Sequence, residues 1–590
     1  MSSQKRASKN EATTRVLALG LTTSILLTLG ISFVSLKFID DTTFPAAIFP
    51  NTPVPAKNSI EISLVAENKS ASHTFVDEEP SRRARLVCHK WGGPSDELLT
   101  AEMVYWRDIP TDAQYTSPFY NSSAPEKFLF FDADPAGFNN KRISFENFIL
   151  MAHVMGRTLV MPPKGFWWGF QNENGQENPQ MESPRWSFED FYELDKIHQA
   201  GLKIISMEEF IVRFGVTGML KDKENGAVLF PPNNRTNWDK SWQKVMKNWL
   251  KRVTVQIKWR PESCLGAFPA HPFNNSALEE AILVLNKKHV PGPGHWIDNP
   301  NPVDSPIIMR MEEFLTERTN LCLYDSQLHD EPYLYYKIFY DAGSYETKMV
   351  TNIRLLIWFY QFFFFEDWHQ DLWSKRFIRD HLRYKDELQC AAARIVAAMR
   401  EKARKKHNGN GEFHSFHIRR KGEFEEQYGN LTEATDIYKI SVKDIPDGST
   451  VYIATDDMNR TFFQPLMDHY DVYFLGDFQE LLGDLNYNYY SIIDQLVASR
   501  GRVFFGAFCS TFTGFINRMR GYRSQNDKTK GWHDGIIESY FYNYQDMDKR
   551  NKMRAYHPPV PLWYGREFPM AWRDIDHDVE TFVGVDADHA

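Results

Sequence analysis

Cysteine is scarce in this 590-residue chain. There are five, Cys88, Cys264, Cys322, Cys390 and Cys509, with no CxxC pair and no zinc-ligand spacing. That excludes zinc fingers and dithiol redox motifs. In an oxidising compartment the five allow one or two disulfides and leave at least one thiol over, with the pairing open. Long hydrophobic runs are as scarce. Val16–Leu36 stands alone in length, and the aromatic run Trp358–Phe365 is too short and is closed by Glu366 and Asp367, which excludes a polytopic membrane protein. Long basic runs are missing. Lys5, Arg6, Lys9 and Arg15 against Glu11 put +3 on the first 15 residues, so a net charge of −9 leaves −12 on the remainder. A body this acidic excludes nucleic acid as a partner. No P-loop, H-E-x-x-H, G-x-S-x-G or full G-x-G-x-x-G occurs, which argues against P-loop NTPases, zincins, α/β-hydrolases and ordinary dinucleotide enzymes.

What is present is globular: 42% hydrophobic, 25% charged and 15% aromatic residues, enough for two to four domains and a sizeable core. Val16–Leu36 holds 21 residues without a charge. At about 1.5 Å per residue it spans about 31 Å, one hydrocarbon core, and exceeds the apolar length of a cleaved signal peptide. The basic residues before it predict a cytosolic tail (1–15), a signal anchor (16–36) and a lumenal remainder. The expectation is a single-pass type II protein of the Golgi or ER membrane. Six N-x-S/T sequons, at Asn68, Asn121, Asn234, Asn274, Asn430 and Asn459, fit lumenal exposure.

Proline-punctuated, polar sequence from 37 to 85 reads as a stem. Compact sequence starts near Leu86. Phe128–Phe131 is a short apolar strand, Ile143 to Val154 has helical apolar spacing, and Thr158–Met161 is a second buried strand stopped by Pro162-Pro163. This βαβ unit implies a parallel sheet. Residues 170–340 show no clear topology beyond helical pieces around Trp238–Leu250 and Met311–Thr316. A helical stretch is expected from about Glu346 to Lys405. A second alternating block follows: strands Phe413–Arg419, Thr450–Thr455, Val472–Leu475 and Val503–Gly506, with helices Arg460 to His469, Tyr489 to Ser499 and Thr513 to Arg520. The expected fold class is α/β, two facing Rossmann-like domains: 86–395 with the helical connector, and 396–590.

In parallel sheets, ligands sit beyond the carboxyl ends of strands. Three loops there are rich in polar groups. In Asp132–Arg142 (DADPAGFNNKR), Gly137 permits close backbone approach, Asn139 and Asn140 offer amides, and a helix N-terminus follows. In Phe416–Phe424 (FHIRRKGEF), His417 and Arg419 share one strand face while Arg420 points away, and an arginine there suits a diphosphate. In Gly506–Asn517 (GAFCSTFTGFIN), Ser510, Thr511 and Thr513 bring hydroxyls to a helix start. Asp456, after strand Thr450–Thr455, could hold a base or ribose edge. Asp132-Ala133-Asp134 is a D-x-D that could carry a divalent cation, but arginines are available to neutralise phosphate, so no metal is expected.

Together these stretches resemble the GDP-fucose protein O-fucosyltransferase family, including its plant-type relatives. GFNNKRISFENFILMAHVMGRTLVMPP resembles the family's first motif, FHIRRKGEF its H-x-R-R-G-D-F motif, and DQLVASRGRVFFGAFCSTFTGFINRMRGY its C-terminal motif; FIRDHLRYK looks like the region preceding its second domain. The likeness covers Lys127–Tyr522 in patches. It implies a GT-B, inverting, metal-independent transferase using GDP-fucose as donor substrate, with a protein or glycan hydroxyl as acceptor. It implies Arg419 as the catalytic, diphosphate-binding arginine and a donor site around Gly137, Phe138, Asn139, Asn140, His417, Arg420, Asp456, Ser510, Thr511 and Phe512. Two departures stand out. Lys421 is inserted before Gly422 and Glu423 replaces the usual Asp; where some members carry a glutamate base, this chain has Ala136. A general base is therefore Asp134, Glu423 or absent. The alternatives are a rhamnosyl- or other glycosyltransferase on the same scaffold, and a non-catalytic lumenal carbohydrate-binding protein.

Overall fold

The computed structural model describes residues 84–107, 112, 116–134, 136–165, 167, 170, 186–239, 241–261, 263–288, 307–308, 311, 318–337, 362–407, 409, 411–420, 433–507, 510–524, 538–542, 551–552 and 575. All belong to one compact unit, Glu78–Ala590. The expected anchor Val16–Leu36 lies outside the described residues, and among these no helix is long and apolar enough to cross a membrane.

Three β-sheets organise the described residues. The first holds β1 (Phe128–Phe131), β2 (Thr158–Met161), β3 (Ile204–Ser206), β4 (Val255–Gln256) and β7 (Tyr333–Tyr336), in the order β3-β2-β1-β7-β4, all parallel. The second is a parallel sheet of β5 (Cys264–Phe268), β6 (Asn320–Leu323) and β8 (Phe363–Phe365), in the order β6-β5-β8. The third joins β9 (His414–Ile418), β10 (Thr450–Thr455), β11 (Asp471–Phe474), β12 (Phe504–Ala507), β13 (Ser539–Tyr542) and β14 (Asn551–Lys552), in the order β11-β10-β9-β12-β13-β14. Only its β13–β14 pair is antiparallel. Strands buried on both faces need unbroken apolar runs, and Phe128–Phe131 and Thr158–Met161 supply them.

The expected helix from Glu346 to Lys405 is corrected here. Phe363–Phe365 forms β8, and the helical part divides into two helices, Trp368–His381 and Asp386–His407, separated at Leu382–Lys385. A short aromatic run fits a doubly buried strand as well as a helix, and periodicity cannot separate the two. The boundary expected at 395/396 falls inside Asp386–His407. The second sheet was not foreseen; its strands β5 and β6 are joined by a Cys264–Cys322 disulfide, while Cys88–Cys390 ties the segment before β1 to the helix Asp386–His407.

Helix α1 (Phe138–Val154) is buried almost all round, the pattern of a helix packed on both sides. It ends where Gly156 takes φ +64, and a Cβ there would lie 2.8 Å from the Tyr120 backbone. On one side α1 packs on β1 and β2. On the other it meets α3 (Thr511–Ser524), which enters from the C-terminal sheet, next to α2 (Tyr490–Ala498). Between α1 and α3 lies a buried ionic triad. Glu146 accepts from Arg142 at 2.7 Å and from Arg518 at 2.8 Å, and Arg142 stacks on Phe515 at 3.9 Å.

A second charged cluster fastens the N-terminal segment. Arg400 donates to Glu102 at 2.9 and 3.1 Å, and Arg500 at 3.3 Å. Burial alone would raise the Glu102 pKa, but Arg500, Arg400 and Arg523 hold it at about 2, against 4.5 unperturbed. A depressed carboxyl stabilises the fold above its unfolded pKa and loses that contribution as pH falls from 4.5 towards 2. Glu102→Gln is therefore expected to cost on the order of 2–3 kcal/mol at pH 7 in denaturant unfolding. The gap to the unmodified chain should narrow as pH falls from 5 to 3; a constant gap would refute the electrostatic account.

Candidate active site

The carboxyl ends of β9, β10, β12 and β13 lie side by side at one edge of the C-terminal sheet, because these strands are mutually parallel. Arg419 follows β9 directly. Its side chain is 28% exposed, and its Nε lies 4.0 Å from Asp456, which follows β10. Asp456 also accepts the Arg420 backbone N–H at 2.7 Å. The strand alternation separates the two arginines. The Arg420 guanidinium turns to Asp457 (2.9 Å) and stacks on Phe462 at 3.5 Å.

His417, on β9 two residues before Arg419, is buried. Its Nδ1 meets Thr513 Oγ1 at 2.7 Å, and its ring stacks on Phe512 at 4.3 Å. This contact needs Gly506, where a Cβ would sit 2.3 Å from Thr513 Cγ2. Burial, and then the Arg419 charge, push the His417 pKa down to about 3. The imidazole is neutral at ordinary pH and packs against the Phe512–Thr513 turn.

That turn opens α3 and is docked onto the first loop. The Thr511 hydroxyl donates to Asn140 Oδ1 at 2.7 Å. Gln495, fully buried on α2, donates to Asn139 Oδ1 at 2.9 Å and to the Phe512 carbonyl at 3.1 Å, and accepts from Tyr384 at 3.4 Å. Ser510, 2% exposed, has a buried hydroxyl with no hydrogen-bond partner among the described residues, at the N-terminus of a 14-residue helix. An orphaned buried hydroxyl at a helix start is an acceptor-seeking group in a place that favours an anion.

The other expected residues are placed as follows. Gly137 is the N-cap of α1 in an extended conformation, and its carbonyl accepts from Asn140 N at 3.0 Å. Phe138 packs among Trp167, Phe191, Tyr192 and Tyr384, so its ring belongs to the aromatic core. Asp134 is fully buried, and its carboxylate accepts the Ala136 N–H at 2.9 Å. Asp132 accepts from the Tyr335 hydroxyl at 2.7 Å and lies 3.7 Å from Lys247. Among the described residues no group of three or more His, Cys, Asp or Glu could hold a metal. Glu423, with Lys421, lies outside the described residues. Gln495 and Tyr542 were missed as site residues, while Thr513, noted for its hydroxyl, meets His417. A glutamine inside an apolar helix (YSIIDQLVA) was the one available signal for the first.

Parallel sheets carrying polar loops at their carboxyl ends fit an α/β transferase, and the family comparison gives the class: the chain is a glycosyltransferase. Residues 128–523 match the family described as GDP-fucose protein O-fucosyltransferase, and the chain belongs to that family. Among solved structures it is similar to POFUT1 in complex with GDP (14% identity over 68% of this chain and 96% of that one, TM-score 0.31). A mutant of Arabidopsis thaliana FUT1 in complex with GDP shares 10% identity over 77% of this chain and 76% of that one, at TM-score 0.31. Fucosyltransferase NodZ from Bradyrhizobium shares 15% over 67% and 94%, at TM-score 0.30. No curated protein matches the chain.

The neutral His417 makes stability depend on pH with a definite sign. The unfolded imidazole protonates near 6.5 and the folded one near 3, so the unfolded state binds the extra proton and stability falls as pH drops from 6.5 towards 3. Chemical unfolding at pH 7 and pH 5 should show this loss, on the order of 1–2 kcal/mol. His417→Asn should flatten the dependence; an unchanged slope would show that His417 titrates normally in the fold.

Proposed function

We propose that the chain transfers fucose from GDP-fucose to a hydroxyl of a lumenal protein or glycan, with inversion at the anomeric carbon, on a GT-B scaffold of two Rossmann-like domains. The observation that carries the reading is the partly exposed Arg419 at the carboxyl end of β9, two residues after His417, which packs on Phe512 and Thr513 in the first turn of α3. A guanidinium after β9 and a helix N-terminus with a buried hydroxyl after β12, both at the carboxyl ends of adjacent parallel strands, suit a diphosphate. Family membership supports GDP-fucose as the nucleotide sugar.

In the reaction, the acceptor oxygen attacks the fucose C1 on the face opposite the diphosphate, and the bond from C1 to the β-phosphate oxygen breaks. GDP departs with the bonding electrons, and the acceptor proton passes to a base or to solvent. Arg419 would neutralise the charge growing on the β-phosphate, a role kept for the transition state. Asp456 orients the arginine. Asp134 is a poor base, since its carboxylate is enclosed in the turn before α1. That leaves Glu423 as the better candidate. Metal is not needed where an arginine and a helix start supply the positive charge.

A signal anchor at 16–36 and a Golgi or ER lumenal body complete the proposal. Two cysteine pairs at bonding distance support an oxidising compartment, and Asn121, Asn234, Asn274 and Asn459 are all exposed, as glycan acceptors must be.

The test is release of nucleoside diphosphate from GDP-fucose and from UDP-rhamnose in the presence of EDTA. The expected result is GDP release alone, unaffected by EDTA and reduced at least about a hundredfold by Arg419→Ala. Release from UDP-rhamnose would move the donor to another deoxysugar. No release from any donor, together with no GDP binding, would favour the carbohydrate-binding reading.

A further inference from the structure

Tyr542 lies beyond the family-matched segment, at the end of β13, and it reaches the candidate site from two strands away. Strand β12 separates β13 from β9, pairing with β9 as far as Gly506 opposite His417. The β9–β12 pairing stops there, while Ala507 still pairs with Tyr542 of β13. The Tyr542 hydroxyl donates to the His417 carbonyl at 3.0 Å and accepts the Arg419 N–H at 3.3 Å. One hydroxyl has one proton and two lone pairs, so both bonds are compatible. The ring is fully buried, and its backbone is fixed opposite Ala507.

We propose that Tyr542 is a positioning residue for the transfer reaction, holding the last turn-free residues of β9 so that Arg419 is presented in one orientation. The proposal rests on the reading of Arg419 as the diphosphate-binding arginine. Arg419 follows the final ladder residue, and its side chain is partly exposed. Its aim therefore depends on the backbone at 417–419, which Tyr542 grips on both sides of Ile418. A group that acts only once charge develops is sensitive to such aim, because misplacement by a fraction of an ångström weakens transition-state contacts more than ground-state binding.

The test compares Tyr542→Phe with Tyr540→Phe in the whole chain. Tyr540 shares β13, but its hydroxyl donates to Asp444 at 3.1 Å. Tyr542→Phe is expected to lower kcat for GDP release about tenfold, with KM for GDP-fucose within about twofold, in a chain that stays folded at the assay temperature. Tyr540→Phe should leave both constants alone. An unchanged kcat in Tyr542→Phe overturns the proposal, as does a loss that tracks Tm, which would mark a purely structural role. Backbone amide exchange at Arg419 in the unmodified chain gives a readout independent of turnover. Protection like that of β9 supports the proposal, and exchange at the rate of an open loop overturns it. If the unmodified chain releases no GDP, the fucosyl-transfer reading fails, and the exchange measurement still decides whether Tyr542 holds the strand end.

Discussion

The arrangement of the site depends on one docking contact, that of α1 against the helices of the C-terminal sheet. Its polar part is short: Asn139 to Gln495, Asn140 to Thr511, and Glu146 between Arg142 and Arg518. Buried charges are costly to desolvate, and a buried ion pair seldom adds net stability over an apolar one. Its removal in halves is what costs, since a single stranded charge is penalised by about 3–5 kcal/mol. Such a contact accepts one register and rejects others. Here that register sets the first βα loop against the Ser510–Thr511 turn, two segments more than 350 residues apart in sequence.

The same contact explains why adjacent residues take different roles. Asn139 and Asn140 look interchangeable in the sequence, yet Asn139 is buried against Gln495 while Asn140 meets the helix start that opens the candidate anion seat. Arg419 and Arg420 likewise diverge. The period-two geometry of β9 sends Arg420 to Asp457 and Phe462 and leaves Arg419 at the strand mouth. His417, which shares a face with Arg419, is enclosed by Phe512 and Thr513 and kept neutral.

Much of this was legible from local pattern. Phe128–Phe131, Thr158–Met161 and Thr450–Thr455 are strands with the limits expected from their apolar runs, and helix Tyr490–Ala498 lies within a residue of expectation at each end. Such segments are bounded by prolines, glycines or charges that local sterics make decisive. The second parallel sheet was illegible, because β5, β6 and β8 are short and far apart, and their pairing is a tertiary fact. The site's polar side chains were visible as loops, but their partners were not. Gln495 reads as one polar residue in a helix, Tyr542 as one ring in a run of aromatics, and Phe138 as a loop residue beside a glycine. Only three-dimensional packing turns the first two towards the site and the third into the core.

The account's central claim is that a nucleotide diphosphate lies between the end of β9 and the start of α3. A structure of the chain with GDP bound tests it most directly. The account expects diphosphate oxygens within hydrogen-bonding reach of the Arg419 guanidinium and the Ser510 hydroxyl, with the Asn140–Thr511 contact intact. GDP bound elsewhere, with the Ser510 hydroxyl still unpartnered, would contradict it.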